Sequence, residues 1–267
     1  MQYDNRPVGV FDSGIGGLTV ARLISEQLPG EDLIYVGDTA HVPYGNKTHD
    51  QLLQYGRQIL DFLVAQDVKA IVAACGTSSS VSIPVLATEY TLPIIGMIKP
   101  GSRGAVKASK CRKIGVIATP VTANSGVYKR EINVLENEAE VWEVGCPKLV
   151  PLIELGMLDG PEVQEALDEY LKDLCQHKVD TLVMGCTHYP FLAPVVKRMT
   201  SGAVAIVDPA VEVVEELKAT LRSNQAFADR EQGGCTFYST GTDESFKRVG
   251  LMFMGRELSE VKKIDLD

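Results

Sequence analysis

Two short stretches that resemble each other decide the fold of this chain: residues 71–77, IVAACGT, and residues 182–188, LVMGCTH. Each is an apolar run too short for a helix, and each contains a cysteine followed within two residues by Thr or His. Apolar runs of this length, bounded by small polar residues, are typical of strands buried in a parallel sheet. Cys75 and Cys186 are therefore expected at the carboxyl ends of their strands, where open α/β sheets bind ligands.

Strand and helix signals alternate outward from both stretches. Further strands are predicted at residues 8–11, 33–36, 93–96, 113–118, 141–145, 204–207 and 237–241. Segments with helical periodicity separate most of them, and this alternation predicts parallel sheets with helices on both faces. We therefore predict an α/β protein of two similar doubly wound parallel-sheet domains. The first comprises residues 1–97 plus 209–267, because the carboxyl-terminal segment is expected to pack back onto it, and the second comprises residues 98–208.

Bulk composition excludes several classes of protein. The chain has 267 residues, of which 45% are apolar and 23% charged, as in ordinary globular proteins. Its net charge of −9 and the absence of a long basic run argue against binding to nucleic acids or anionic membranes. No apolar run approaches the roughly 18 residues of a membrane helix, and residues 1–7 lack the apolar core of a signal peptide. Six cysteines without a short disulfide-type spacing predict free thiols in a reducing cytoplasm.

A glycine-rich turn, DSGIGG at residues 12–17, separates the first predicted strand from the first helix. Backbone N–H groups at such a helix start suit an anion. Asp38 ends the second strand, about where a dinucleotide-binding fold has its ribose-binding acid. However, Thr19 occupies the place of the third glycine of that fingerprint. Nicotinamide binding is therefore the weaker alternative, and a carboxylate site that uses Asp12 and Ser13 is favoured.

Cys75 and Cys186 admit several interpretations. Free cysteine is a common core residue, but a thiol at the start of a helix can have a lowered pKa and ionise readily. A zinc site would use both thiolates and His188, yet the chain has no Cys-x-x-Cys or close His pair. A Cys–His hydrolase would not need two equivalent cysteines. A paired-thiol site is favoured, and the remaining cysteines are predicted to be structural: Cys111, Cys146, Cys175 and Cys235.

Two further residues are candidates for the site, His188 and Glu154. His188 follows Cys186 by two residues in a predicted turn, so it is expected beside the same pocket. Glu154 follows an apolar segment, residues 150–153, in a helix-like setting. On its own, Glu154 indicates no more than an exposed carboxylate.

A series of motifs then extends in order along nearly the whole chain. They are DSGIGGLTV at 12–20, GDT at 37–39, VPYG at 42–45, PIIG at 93–96, PG at 100–101, CP at 146–147, VPLIE at 150–154, GCTHYP at 185–190, VD at 207–208 and YSTG at 238–241. In this order they resemble the glutamate racemases of the aspartate/glutamate racemase superfamily. Those enzymes use no cofactor and supply D-glutamate for bacterial peptidoglycan. The series is far more specific than any one motif.

The resemblance implies a function for each candidate residue. Cys75 and Cys186 correspond to two acid–base thiols in a cleft between two α/β domains, where they flank the α-carbon of glutamate. Asp12, His188 and Glu154 correspond to residues that assist these thiols. The implied substrate contacts are Asp12, Ser13, Tyr44, Gly45, Cys75, Gly76, Thr77, Thr187 and His188. Neither a metal nor another cofactor is implied, and family members are often homodimers.

One position departs from the family pattern. The first cysteine motif of these racemases is Cys-Asn-Thr, whereas this chain has Cys75-Gly76-Thr77. Glycine lacks the side-chain amide that helps to hold the substrate, so a weakened racemase is expected. A racemase for another amino acid such as aspartate, and a binding or regulatory protein that has drifted from catalysis, remain the alternatives.

Overall fold

The computed structural model describes residues 3–241 and 244–266 and divides the chain into two compact units. The first unit contains Met1–Gly96 and Val213–Asp267, and the second contains Met97–Glu212. The outermost residues of the predicted first domain (1, 2 and 267) lie outside the described residues. The domain limits expected from the sequence stay a prediction. No helix in the described ranges is both long enough and apolar enough to span a membrane.

The amino-terminal part of the first unit alternates strands with helices. In chain order its elements are β1 Val8–Asp12, α1 Leu18–Gln27, β2 Leu33–Gly37, a 3₁₀ turn Tyr44–Asn46, α2 His49–Ala65, β3 Ala70–Ala73, α3 Gly76–Val81, α4 Ile83–Leu86 and β4 Ile94–Gly96.

The second unit continues the alternation. Its elements are α5 Ile98–Ala108, β5 Lys113–Ala118, α6 Pro120–Ser125, α7 Val127–Leu135, β6 Glu140–Gly145, α8 Leu149–Glu154, α9 Pro161–Gln176, β7 Thr181–Met184, a 3₁₀ turn Tyr189–Leu192, α10 Ala193–Met199 and β8 Ala205–Val207. The chain then returns to the first unit through α11 Pro209–Ser223, β9 Cys235–Ser239, α12 Glu244–Met254 and β10 Val261–Lys263.

The first sheet is parallel throughout, with the strand order β10-β9-β2-β1-β3-β4. The order reverses at β1, which pairs with β2 on one side and β3 on the other. A reversal of this kind opens a crevice at the carboxyl ends of the strands, where doubly wound proteins bind ligands. Asp12 ends β1 and Cys75 follows β3 by two residues, so the fold brings both to this end of the sheet.

The second sheet is also parallel, with the order β6-β5-β7-β8. Here the reversal occurs at β5, which pairs with β6 and β7. Cys186 follows β7 by two residues, just as Cys75 follows β3. The prediction of an α/β protein with two parallel sheets is confirmed.

Amphipathic helices cover the sheets as their apolar periodicity predicts. In α2, Ile59, Leu60 and Leu63 are fully buried in a core that also contains Phe11 of β1. Thr48 begins this helix with a capping box, in which its hydroxyl accepts from the Gln51 N–H group. In α9, one face is buried, and it consists of Val163, Leu167, Tyr170 and Leu174.

Three elements were not predicted from the sequence. Helix α5 contains two glycines, which lower helix propensity; a Cβ atom on Gly101 would lie 3.0 Å from Pro209 Cβ. Close tertiary packing therefore outweighs local propensity there. Helix α7 follows a turn in which Gly126 has a φ of +63°. Strand β10 is short and carries two lysines, as edge strands often do.

Candidate active site

Cys75 is held at the junction between β3 and α3. Its side chain is 5% exposed, and its Sγ atom accepts a hydrogen bond from the Ser78 N–H group at 3.4 Å, so the thiol caps α3. The thiol also donates to Ser13 Oγ, 3.6 Å away. Ser13 lies in the turn after β1, so the turn and the cysteine strand meet at this point.

Burial determines the protonation state of Cys75. It raises the pKa of this thiol, the negative charge of Asp12 raises it further, and hydrogen bonding with Ser78 and Ser13 lowers it, so that the pKa is about 11. A lowered pKa was expected because the thiol begins a helix. That expectation was wrong, because desolvation of the thiolate outweighs the bonds that stabilise it. Cys75 is therefore a protonated thiol at neutral pH.

The glycine-rich turn holds Asp12 under the start of α1. Asp12 is 1% exposed and its Oδ1 atom accepts from the Gly14 N–H group at 2.9 Å. The turn then passes so close to β1 that a Cβ atom on Gly17 would lie 2.6 Å from Asp12 Cβ and 2.9 Å from Ala74 Cβ. Glycine is thus required at position 17 to bring the turn against the strand end. Its role here is packing beside Asp12.

Tyr44 is buried beside the same strand ends. Its hydroxyl donates to Asp38 Oδ2 at 2.5 Å, and burial together with the Asp38 charge raises the Tyr44 pKa well above its ordinary value. Asp38 also accepts from Thr240 Oγ1 at 2.6 Å and lies 2.8 Å from His41 Nδ1. The carboxylate that the dinucleotide alternative assigned to a ribose is therefore bonded to side chains of the protein itself.

The remaining predicted substrate contacts of the first unit lie in the 3₁₀ turn that begins at Tyr44 and in the first turn of α3. Gly45 is half-buried in the 3₁₀ turn that begins at Tyr44. Gly76 and Thr77 are buried as the first two residues of α3, directly after Cys75. The Thr77 carbonyl accepts from the Ser80 hydroxyl at 2.9 Å, which stabilises the first turn of this short helix.

Two successive contacts in the second unit connect Cys186 to His188 and His188 to Glu154. Cys186 Sγ is 3.7 Å from His188 Nδ1, and His188 Nε2 is 3.1 Å from Glu154 Oε1. The His188 side chain is 8% exposed, whereas that of Glu154 is 38% exposed. Glu154 ends α8 and so approaches from a different element than the β7 loop. An imidazole with a thiol on one nitrogen and a carboxylate on the other is suited to exchanging a proton with the sulfur.

The loop that carries Cys186 is fixed by close packing. A Cβ atom on Gly185 would lie 2.9 Å from the Ile117 carbonyl oxygen and 3.2 Å from the Tyr128 ring. Tyr189 is fully buried, and its hydroxyl donates to the Cys146 carbonyl at 2.9 Å. Thr187 is buried between Cys186 and His188, with its Oγ1 atom 3.5 Å from His188 Nδ1.

All six cysteines are free thiols. Cys111 and Cys175 are exposed, Cys146 is buried and Cys235 is half-buried. Within residues 3–241 and 244–266, no group of three or more His, Cys, Asp or Glu side chains is arranged to hold a metal ion.

Two features of the site were not predicted from the sequence. The Ser78 N–H bond to Cys75 is local, and the cysteine at a helix start was a signal for it. The bond of Thr240 to Asp38 was not predicted, because Thr240 lies 202 residues away in the chain. Only the fold brings Thr240 to this strand end.

Each of the two parallel sheets thus presents, at a strand end, a buried thiol beside an ionisable side chain. A thiol in this setting is chemically able to exchange a proton. Residues 8–217 match the profile of the Asp/Glu/Hydantoin racemase family. A glutamate racemase of Desulforudis audaxviator is 42% identical over 266 residues, 97% of either chain.

Solved structures agree with this match. The glutamate racemase of Francisella tularensis, crystallised in complex with D-glutamate, is 34% identical, covers 99% of either chain and superposes with a TM-score of 0.93. A glutamate racemase isoform of Bacillus anthracis is also 34% identical over 99% of either chain, with a TM-score of 0.95. The chain belongs to the Asp/Glu/Hydantoin racemase family and is an isomerase. The predicted resemblance to glutamate racemases is confirmed.

Proposed function

We propose that this chain interconverts L-glutamate and D-glutamate by proton transfers between the α-carbon and two thiols, Cys75 and Cys186. The observation that carries the proposal is the pair of buried thiols, each beside its own ionisable partner, Asp12 or His188. The relatives named glutamate racemase, and the Francisella tularensis enzyme crystallised with D-glutamate, support glutamate as the substrate.

Each direction of the reaction uses one thiolate and one thiol. In one direction, the Cys186 thiolate takes the α-proton: the C–H bond breaks, an S–H bond forms, and the electron pair stays on the substrate. The Cys75 thiol then gives its proton to the opposite face of the α-carbon and becomes a thiolate. The reverse direction exchanges these roles, so no oxidant, reductant or other co-reactant is consumed. Inversion requires the two sulfurs to approach the α-carbon from opposite faces.

His188 and Glu154 form the acid–base support of Cys186. The imidazole takes the proton from the Cys186 thiol through Nδ1, which makes the thiolate available as a base. Glu154 accepts a hydrogen bond from Nε2–H and orients the ring. It also stabilises the positive charge that the ring gains in this transfer. A positioned group of this kind contributes roughly 10²–10⁴-fold to the rate.

Asp12 assists Cys75 through its charge. In the free enzyme its negative charge raises the pKa of Cys75, so this thiol is poised as the proton donor. The α-ammonium group of glutamate binds beside Asp12 and offsets that negative charge. The bound substrate thereby lowers the pKa of Cys75 and allows its thiolate to act as the base in the reverse direction.

The carbanion formed after proton removal is stabilised by the site itself. Negative charge builds on the α-carboxylate, where backbone N–H groups and the hydroxyls of Ser13, Thr77 and Thr187 act as an oxyanion hole. Exclusion of water strengthens each of these contacts. Tyr44 and Gly45 contact the substrate through the loop backbone, because the Tyr44 hydroxyl already donates to Asp38.

Gly76 makes the first half of the site weaker than the second. It provides a backbone N–H group but no side chain for the substrate. A hydrogen bond to a charged group is worth about 1.5–3 kcal/mol, which corresponds to roughly 10- to 150-fold in binding. The chain is therefore a racemase with reduced substrate affinity.

The biological role follows from the product. We propose that the chain works in the cytoplasm as a homodimer and supplies D-glutamate for peptidoglycan synthesis and hence for cell shape. In this proposal the reaction uses no cofactor. The enzyme binds a small-molecule substrate, glutamate, and neither a nucleic acid nor a membrane.

The decisive experiment follows deuterium at the α-carbon. The purified chain is incubated with L-glutamate in D₂O, without pyridoxal phosphate and with a chelator present. We expect D-glutamate that carries α-deuterium, and we expect Cys75→Ser and Cys186→Ser each to lose most of this activity. Full racemisation by either variant contradicts the two-thiol mechanism. Faster turnover of aspartate than glutamate identifies a racemase of another substrate, and no turnover of either identifies a binding protein.

A further inference from the structure

Three hydrogen-bond donors converge on the buried carboxylate of Asp38. Tyr44 donates to Oδ2 at 2.5 Å, and Thr240 donates to Oδ1 at 2.6 Å. His41 Nδ1 lies 2.8 Å from Oδ1 and 3.0 Å from Oδ2. Asp38 is only 1% exposed, and a buried carboxylate is costly unless such donors surround it. The three donors and Asp38 therefore form one cooperative cluster.

The cluster joins two segments that are far apart in the sequence. Thr240 Oγ1 accepts from the Ala40 N–H group at 3.1 Å while it donates to Asp38. Next to it, Thr39 Oγ1 lies 2.7 Å from Ser239 Oγ and accepts from the Gly241 N–H group at 3.0 Å. The loop that begins after β2 is thus bound to the end of β9 through Asp38, Thr39 and Ala40. The family match ends at residue 217, so this contribution comes from outside the matched region.

His41 is oriented for its contact with Asp38 by a second interaction. Its ring stacks on Tyr55 of α2, with centroids 3.9 Å apart and an interplanar angle of 15°. The stack fixes the ring plane, and the Nδ1 atom then faces the carboxylate. Tyr44 is also near Tyr55, with ring centroids 5.9 Å apart. The Tyr44 loop is thereby held by α2 as well as by β9.

We infer that Thr240 and His41 are positioning residues for substrate binding: they orient Asp38, which holds the Tyr44 loop in its binding geometry. The inference rests on the proposed function only for the assignment of Tyr44 and Gly45 as substrate contacts. Neither Thr240 nor His41 touches the substrate. They affect substrate binding only through the buried carboxylate of Asp38 and the buried phenol of Tyr44.

The consequence is a specific kinetic signature. When Thr240 or His41 no longer bonds Asp38, the carboxylate is free to rotate, and the Tyr44 hydroxyl loses an acceptor with a fixed position. The loop backbone then samples several positions, and the substrate has to select the competent one. Binding weakens by the fraction of molecules with the correct loop. The two thiols keep their own partners, so the chemical step changes much less.

The first test removes one hydroxyl of the cluster. Thr240→Val keeps the side-chain shape and deletes the bond to Asp38, Thr240→Ser keeps the bond, and Thr88→Val deletes an exposed threonine bond to Val85 elsewhere in the same unit. We expect Thr240→Val to raise KM for glutamate about ten-fold or more. We also expect kcat within about three-fold of the wild type, with Thr240→Ser and Thr88→Val near the wild type. An unchanged KM in Thr240→Val overturns the inference, as does a loss confined to kcat.

The second test separates the two interactions of His41. His41→Phe keeps an aromatic ring to stack on Tyr55 but has no N–H donor, and His41→Ala loses both. We expect both variants to raise KM, with the larger increase in His41→Ala. If His41→Phe matches the wild type in KM, the hydrogen bond to Asp38 has no positioning role.

A measurement without substrate keeps the inference independent of the proposed function. Hydrogen–deuterium exchange of the peptide that covers residues 39–47 reports directly on the loop. We expect this peptide to exchange at least ten-fold faster in Thr240→Val than in Thr88→Val, with unchanged exchange around β7. Equal exchange in the two variants overturns the inference even if glutamate is racemised. If the wild type does not racemise glutamate but residues 39–47 exchange faster in Thr240→Val, the proposed function is wrong. The positioning of this loop by Thr240 is then still supported.

Discussion

Glu154 Oε1 lies 3.1 Å from His188 Nε2, on the edge of the imidazole opposite the Nδ1 atom that faces Cys186. A carboxylate in this place selects the tautomer with a proton on Nε2 and leaves Nδ1 to accept the thiol proton. Such a pairing places the imidazole between the Cys186 thiol and a carboxylate.

His188→Asn should therefore slow the half of the reaction in which Cys186 acts as a base. We expect kcat/KM to fall by roughly 10²–10⁴-fold, equally for both enantiomers, because L- and D-glutamate have equal free energies and the equilibrium constant is 1. The α-deuterium isotope effect should rise in the direction in which Cys186 abstracts the proton, and not in the other. Steady-state kinetics with α-deuterated L- and D-glutamate measures both quantities.

The matched control for this substitution is His177→Asn. His177 lies in the same unit, but its side chain is 41% exposed and stacks on Trp142. It should leave kcat/KM within about two-fold of the wild type. Glu154→Gln should cost less than His188→Asn, because Glu154 is partly exposed and solvent screens its charge. An isotope effect that rises equally in both directions would contradict the pairing of His188 with Cys186.

The raised pKa of Cys75 makes its reactivity depend on pH in a defined way. With a pKa of about 11, set mainly by burial and then by Asp12, only about one thiol in 10⁴ is ionised at pH 7. Alkylation of Cys75 by iodoacetamide in the ligand-free Cys186→Ser variant should thus accelerate about ten-fold per pH unit from pH 7 to 10. Peptide-level mass spectrometry separates Cys75 from the exposed thiols. A plateau near pH 8 to 9 would show that the thiol ionises normally.

The same shift has a consequence for stability. The folded pKa of Cys75 lies above the ordinary value of 9.0, so the folded state favours the protonated thiol. This contribution is fully present below pH 9 and is lost as the pH rises from 9 through about 11. Cys75→Ser should therefore lose less stability than the wild type over this range in urea titrations.

The second unit contains two buried tyrosines whose hydroxyls have opposite surroundings. Among the described residues, the Tyr128 hydroxyl is buried without a hydrogen-bond partner, whereas that of Tyr189 donates to the Cys146 carbonyl. A buried donor without a partner costs about 1–3 kcal/mol, and a satisfied bond contributes about 1 kcal/mol. Tyr128→Phe should thus keep or raise the free energy of unfolding, and Tyr189→Phe should lower it. Urea denaturation of the two variants is the measurement, and a larger loss in Tyr128→Phe would contradict the assignment.

Much of the fold was readable from the chain because the information is local. The apolar run before Cys75 and the one before Cys186 predict buried parallel strands, and the glycine-rich turn at residues 12–17 predicts the first strand–helix junction. What could not be read depends on contacts between distant residues. Helix α5 forms despite Gly101 because Pro209 packs against it.

In the candidate site, too, local features were predicted from the sequence, and features that depend on distant contacts were not. Residues beside a strand end, such as Ser13 and His188, were predicted as site residues because motif and strand position coincide. The sign of the Cys75 pKa shift was wrong because desolvation depends on the packing of the whole unit, which no short motif encodes. The support of Asp38 by Thr240 was missed because the two residues meet only through the pairing of β2 with β9.

Gly76 provides the sharpest test of the asymmetry between the two halves of the site. It is the first residue of α3, directly after Cys75, and it is buried. Gly76→Asn supplies an amide where the racemase pattern has one, and it also removes the backbone freedom of glycine beside the thiol. We expect kcat/KM for L- and D-glutamate to rise by roughly 10-fold or more, equally for both enantiomers, because one hydrogen bond to a charged group is restored. Gly76→Ala is the matched control, since it removes the same backbone freedom without adding a donor. An unchanged or lower kcat/KM in Gly76→Asn, or an equal gain in Gly76→Ala, would show that the missing amide does not limit this enzyme.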